Sequence, residues 1–292
     1  AFTQEVIKMR KLNRFTAFMG YKFSPVFKKA VYKNMRKKPI SPMELKKATE
    51  LRDIDFGTTK FVAHRGLSGV NPENTAPAFE AAGKHGNFYG IECDTHMATD
   101  GVWMVAHDPN LETLFSGEGD IKEHSSEELL KLKMLRGANI GKHLDVKMCT
   151  LQEYIDICKK YNCRPIIEIK DPRTDKMQSF YDMLKKNGIE KTCVVISFIL
   201  EDLQVLNKID KELEMWYLVD YLTDKNIQQA VDSGCKGMDF SSDFNSPRPD
   251  MIKKLLDKGL VAACWTVDDK YHLDAMVNAG VTYITTNSIL PE

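Results

Sequence analysis

From residue 61 to the end, apolar residues come in short runs separated by stretches in which they recur every three or four positions. The runs 61–64, 88–94, 164–169, 193–197, 214–219, 237–240, 260–266 and 281–285 have the length of strands, and the stretches between them have helical period. Helix ends are marked as well. Thr150 with Glu153 three positions on reads as a capping box, and Gly188, Gly234, Gly259 and Gly280 stand where helices stop. Eight strands alternating with helices predict a (β/α)8 TIM barrel over 60–292. The run 102–106 does not fit that count. Only the seven residues 95–101 separate it from Asp94, whereas a parallel crossover needs roughly a dozen. It must fold back antiparallel through Asp100-Gly101 and carry His107 over the barrel mouth. Residues 109–149 then form a small insertion after the second strand, with a second capping box at Ser125 and Glu128, expected as a lid or side wall. Only 287–292 follow the last strand, so a helix near 41–52, opened by Ser41 and Glu44, is expected to cover the missing closing helix.

The first forty residues carry a different pattern, that of two short amphipathic helices. Gly20 stops the first, and Ser24-Pro25 opens the second. In the second, Phe23, Phe27, Val31 and Met35 recur every four residues, while Lys29, Lys33, Arg36 and Lys37 fall on the other side. Residues 1–59 therefore read as a helical N-terminal extension. Charge sharpens this picture. The chain has no net charge, but 1–40 holds eleven Lys and Arg against Glu5 alone, +10, leaving −10 for the rest. A basic helix with aromatic anchors suits an anionic membrane surface; a helix docked on the barrel with its charges in water fits equally well. Nucleic acid is not expected, because no recognised binding motif accompanies the basic segment. No apolar run reaches the ~20 residues of a membrane span, and no signal peptide is visible. The expected location is the cytoplasm, peripheral at the inner face of the membrane. Seven cysteines without a CxxC pair read as buried thiols and not as disulfides or a zinc site.

Candidate chemistry gathers between residues 61 and 108, with one contribution from the third strand. On 88–94, Glu92 and Asp94 share a face opposite Ile91 and Cys93, and the acids must face the barrel interior because the outer face lies under helices. In 164–169, Glu168 repeats that placement, followed on the same face by Lys170. One acid alone would be a structural ion pair. Three at the C-terminal ends of neighbouring strands suit a hard divalent cation, Mg²⁺ or Ca²⁺, since all-oxygen ligation disfavours zinc. His64 and His107 end strands that border these acids, where two imidazoles supply acid–base chemistry near neutral pH. Arg65 and Lys170 suit phosphate oxygens or pairing with the acids, and the two roles are compatible. The remaining histidines, 85, 96, 124, 143 and 272, read as surface or structural.

The ordered set of motifs resembles the glycerophosphodiester phosphodiesterases. It comprises His64-Arg65-Gly66, Pro72-Glu73-Asn74-Thr75, Ile91-Glu92-Cys93-Asp94, Thr99-Asp100-Gly101 leading to His107-Asp108, and the strand ending at Glu168 and Lys170. Ser197-Phe198, Cys264-Trp265-Thr266-Val267 and Thr286-Asn287 continue it, and the likeness spans roughly 60–290. It implies a barrel with a small insertion and hydrolysis of glycerophosphodiesters to sn-glycerol 3-phosphate and an alcohol with one divalent cation. By the same resemblance Glu92, Asp94 and Glu168 are metal ligands, with Glu73 a further ligand or close beside them. His64 and His107 are the acid–base pair, Arg65 and Lys170 contact phosphate, and Phe198 and Trp265 form an apolar wall. No motif position departs from the pattern. Two other readings stand beside this one. The basic extension would serve a lysophospholipase D-type enzyme working on membrane lysophospholipids. A non-catalytic phosphodiester-binding module would lack a histidine or a metal ligand, and none is missing.

Overall fold

The computed structural model describes residues 39–51, 56–246 and 248–292. Eight parallel strands close on themselves: β1 (Lys60–Ala63), β2 (Gly90–Met97), β3 (Arg164–Ile169), β4 (Val194–Ser197), β5 (Met215–Val219), β6 (Gly237–Ser241), β7 (Val261–Trp265) and β8 (Tyr283–Thr286). Each pairs with its neighbours in order, and β8 and β2 both pair with β1, so no edge is left open. Helices α1 (Ala76–His85), α2 (Leu151–Lys160), α3 (Met177–Lys186), α4 (Leu200–Ile209), α5 (Asp224–Asp232), α6 (Pro249–Asp257) and α7 (Lys270–Asn278) form the outer ring. This is the expected TIM barrel. Most strand bounds lie within a residue or two of the sequence reading.

Strand alternation sorts the core into two layers. Val62, Ile166, Ile196, Trp216, Leu218 and Ala263 fill the interior, while Ile91, Cys93, Ile167 and Val195 pack outward with Phe79, Tyr154 and Phe180 of the helices. Glu92 and Asp94 therefore have one place to go, the upper interior.

The run after β2 is the antiparallel hairpin that chain geometry required. Trp103–Val105 pairs with Thr95–Met97, and Gly101 takes a left-handed φ of 83° in the turn. Cys149–Thr150 adds a third strand to it. The insertion between has its own apolar cluster, with Leu111, Phe115, Ile121, Leu129 and Met148 packed on Met104 and Ala106. It leans on the loop after β1, where Asn139 Nδ2 donates to the Val70 carbonyl at 2.9 Å. It is a side wall.

The predicted helix near 41–52 needs correction, and the helices expected within residues 1–38 lie outside the described residues. Residues 39–45 are not helical; Lys46–Lys47 pairs with Ile289–Leu290, and a single helical turn, Ala48–Leu51, follows. Local capping lost to long-range bonds: Met43 N donates to the Gly69 carbonyl and Lys46 N to that of Ser288. The strap still covers the gap left by the missing closing helix, with Ala48 buried against the core. It enters at the C-terminal rim of the barrel, since Gly69 and its partner Asn287 follow β1 and β8. Among the described residues no helix is long and apolar enough to cross a membrane.

Candidate active site

Glu92 and Asp94 on β2 and Glu168 on β3 each offer a carboxylate oxygen, and the three lie within 4.8 Å of one another. Asp94 and Glu168 are direct register partners, which is why two strands suffice to bring the acids together. All three are buried. Burial that deep is costly for charge unless partners are supplied, and the flanking loops supply them. Arg65 has φ 56°, a left-handed backbone rare outside glycine. That turn aims its main-chain N–H at Glu92 Oε2, 2.8 Å away, and brings its guanidinium into an ion pair with Asp94, Nε 3.2 Å from Oδ2. Lys170 Nζ lies 2.9 Å from Glu168 Oε1 and 3.3 Å from Asp94 Oδ1. Asn74, also left-handed, donates from Nδ2 to Asp94 Oδ2 at 2.8 Å and accepts from the Asp94 N–H. Gly66 has no alternative, because a Cβ there would sit 2.5 Å from the main chain of Ala78 in α1.

The acids divide electrostatically. Burial, Asp94 and Glu168 push the Glu92 carboxyl well above its usual range. Burial and Asp94 also raise Glu168, although Lys170 opposes them. For Asp94 burial works in the same sense, but Arg65, Lys170 and the two histidines outweigh it and hold the carboxyl well below the usual value. Three acids with two cations thus resist full ionisation together. All-oxygen donors in that condition fit a hard divalent cation.

His64 ends β1 and is half-buried, its Nε2 4.0 Å from Glu92 Oε2. Its Nδ1 lies 2.8 Å from Asn287 Oδ1. The Asn287 amide is oriented by donating from Nδ2 to Asp268 Oδ2 at 2.7 Å, and Ser68 Oγ also donates to its Oδ1. An oxygen facing His64 can only accept, so Nδ1 carries the hydrogen and Nε2 is left bare. Burial and the Arg65 charge drive the His64 pKa down to about 3, with His107 close enough to contribute. His107 follows the hairpin and is part-exposed, its Nδ1 2.9 Å from Asp108 Oδ1. Although burial works against it, the pairing with His107 holds Asp108 ionised, down at about 2. The two imidazoles thus stand at one rim in opposite settings.

Glu73, expected as a ligand or close beside the cation, is not one of the three converging carboxylates and pairs with Arg65. Its Oε1 accepts from Arg65 Nη1 at 2.8 Å, and the same guanidinium meets Asp94. A buried arginine needs that second countercharge. Phe198, 42% exposed, and Trp265 stand at the ends of β4 and β7 with ring centroids 5.9 Å apart at 83°. Several residues carry roles that the sequence did not assign to them. Asn287 and Asp268 orient His64, Asn74 pins Asp94, and Arg136 of the insertion lies within electrostatic reach of Asp108 and Glu73. Asp239 on β6 is buried, its carboxyl raised by burial and by Glu168. It sits in the predicted strand 237–240, and there the acid between Met238 and Phe240 is a visible signal.

Known proteins similar to this chain fall in one family. The sequence model of the glycerophosphoryl diester phosphodiesterase family matches residues 64–290. A glycerophosphodiester phosphodiesterase of Caldanaerobacter subterraneus is 27% identical over 235 residues, which are 78% of this chain and 94% of that protein. The crystal structure of a glycerophosphodiester phosphodiesterase from Parabacteroides distasonis superposes with a TM-score of 0.68 at 27% identity, covering 79% of this chain and 93% of the other. An Oleispira antarctica phosphodiesterase, solved with the product sn-glycerol-3-phosphate, shares the fold with a TM-score of 0.72 at 22% identity, covering 78% and 93%.

Proposed function

This chain belongs to the glycerophosphoryl diester phosphodiesterase family, and on that premise we propose that it hydrolyses glycerophosphodiesters to sn-glycerol 3-phosphate and an alcohol. Residues 60–292 are the phosphodiesterase barrel in this reading, and 1–59 its extension. The observation that carries it is the convergence of Glu92, Asp94 and Glu168 within 4.8 Å beside two histidines in opposite settings. Glu92, Asp94 and Glu168 would hold one divalent cation, Mg²⁺ or Ca²⁺. Bound there, it would offset charge on the phosphoryl oxygens as the transition state forms.

The chain's own residues do the rest. Arg65 and Lys170 hold phosphate oxygens, and Phe198 and Trp265 wall the organic part of the substrate. The bare His64 Nε2 takes the proton of the attacking glycerol 2-hydroxyl, or of a water, as its oxygen bonds to phosphorus. His107, paired with the ionised Asp108, gives a proton to the alcohol oxygen as that bond to phosphorus breaks. If the attack is internal, the cyclic phosphate is opened by water with the two roles exchanged. A panel of glycerophosphodiesters, assayed for glycerol 3-phosphate and alcohol in chelator and again with each cation restored, tests this. Cation-dependent release of both products is expected; binding without release would favour the non-catalytic module instead.

The membrane reading gains one observation. The strap reaches the barrel at the rim that carries His64, because Met43 pairs with Gly69 there. In this reading residues 1–40, with their +10, meet an anionic inner-leaflet surface. Co-sedimentation with phosphatidylserine vesicles is expected to fall sharply on removing 1–38 or on raising salt to about 0.5 M. Unchanged sedimentation would leave the segment a scaffold.

A further inference from the structure

We propose that His96 is a positioning residue for His107, holding the main chain of the His107 loop against the loop that carries Lys170. This rests on the reading of His107 as the acid of the proposed hydrolysis. His96 continues the inward series of β2 after Glu92 and Asp94, one step above the acid cluster, and is 3% exposed. Its Nε2 lies 3.1 Å from the His107 carbonyl oxygen. Its Nδ1 lies 3.0 Å from Asp171 Oδ1, and Asp171 follows Lys170 directly. Asp171 is anchored in turn, since its Oδ2 accepts from the Met97 N–H at 3.4 Å. Lys170 N also donates to the Thr95 carbonyl at 3.1 Å. A carbonyl only accepts, so the His96 ring must donate through Nε2.

The His107 imidazole has two determinants of its place. Asp108 sets its rotation through the Nδ1 contact. The height of its backbone over the cluster is set by Ala106 N, which donates to the Asp94 carbonyl, and by His96 on the far side. A buried side chain hydrogen-bonded through Nε2 to the His107 carbonyl, with Nδ1 3.0 Å from the Asp171 carboxylate of the neighbouring loop, does more than fill space. Loss of it would let the His107 loop rise or swing. Displacement of about 1 Å is enough to cost on the order of 10²-fold in rate.

The test is a kinetic series on the full-length protein with saturating cation and glycerophosphocholine as substrate. His96→Phe is expected to lower kcat about 10- to 100-fold while KM moves less than about threefold. In His96→Gln the amide N–H reaches the same carbonyl and should restore kcat to within about threefold of wild type. Because His96 acts through His107, the double variant His96→Phe/His107→Ala should be no slower than His107→Ala alone. Wild-type kcat in His96→Phe, a full additive loss in the double variant, or a glutamine variant as slow as phenylalanine each overturns the inference. Wild-type turnover in His107→Ala would sink the reading of the site instead. If His96→Phe yields no folded protein, Asp171→Asn, which loosens the other end of the bridge, makes the same comparison. It is expected to cost about three- to tenfold in kcat, non-additively with His107→Ala, and an additive loss again overturns the inference.

Discussion

Alanine in place of His64 or His107 is expected to lower turnover by about 10²–10⁴-fold, with a much smaller change in KM. In the proposed mechanism neither imidazole is a principal partner of the phosphate in the ground state; Arg65 and Lys170 take that role. What each histidine would supply is a proton transfer, realised only as the phosphorus bonds change, and such losses appear in kcat. The two variants should nonetheless respond differently to the leaving group. His64 is fixed with Nδ1 as donor toward Asn287, so in the proposed mechanism its other nitrogen serves as the base. His107 is held against an ionised Asp108, whose charge offsets that of a protonated ring, the form an acid needs. A nitrophenyl ester of glycerol phosphate needs no proton on its departing oxygen. On that substrate His107→Ala should recover to within about tenfold of wild type, while His64→Ala should stay slow. The reverse pattern would exchange the two roles, and full turnover in either alanine variant would remove both.

Much of this site is visible in the chain because strands have a period of two. Once Ile91 and Cys93 are assigned to the helix-covered face, Glu92 and Asp94 have no other direction, and the same alternation places Glu168. The hairpin is equally readable, since seven residues cannot make a parallel crossover. Polar contacts between loops are harder to see. That Asn287 turns its oxygen toward His64 depends on Asp268, nineteen positions away in sequence, and no periodicity links the two. The pairing of Glu73 with Arg65 has the same origin: it is decided by a left-handed turn at Arg65 that a sequence pattern does not display. At Ser41 a local signal is outweighed, because two inter-segment hydrogen bonds from Met43 and Lys46 hold the strap extended. Periodic elements follow from neighbours in the chain, whereas capping and orientation follow from neighbours in space.

The acids should separate function from stability in opposite ways. Glu92→Gln and Asp94→Asn are both expected to reduce turnover by at least about 10²–10³-fold, as chelation of the wild type should, because each would weaken the proposed cation site. Their folded states should differ. The Glu92 carboxyl is pushed up by burial and by its acidic neighbours, so in chelator its ionisation opposes folding. The unfolded chain releases that proton at a lower pH than the folded one does. Stability therefore falls as pH rises from the ordinary carboxyl value toward the raised one. Glutamine matches the uncharged form and can still accept from the Arg65 N–H, so in chelator Glu92→Gln should melt no lower than wild type and less steeply with pH. Asp94 is the opposite case. Burial disfavours its charge, but Arg65 and Lys170 hold it ionised, giving stability that is present above the unfolded value and lost as pH falls through the depressed one. Asp94→Asn leaves two buried cations short of a partner and should cost about 3–5 kcal/mol. Added cation should raise the wild-type Tm, as any ligand of the folded state does, and should do little in either variant. Thermal melts in chelator and in cation read all of these signs. A wild-type Tm indifferent to Mg²⁺ and Ca²⁺ would show that these carboxylates do not form a cation site, and an Asp94→Asn variant as stable as Glu92→Gln would show that Arg65 and Lys170 do not hold Asp94 ionised.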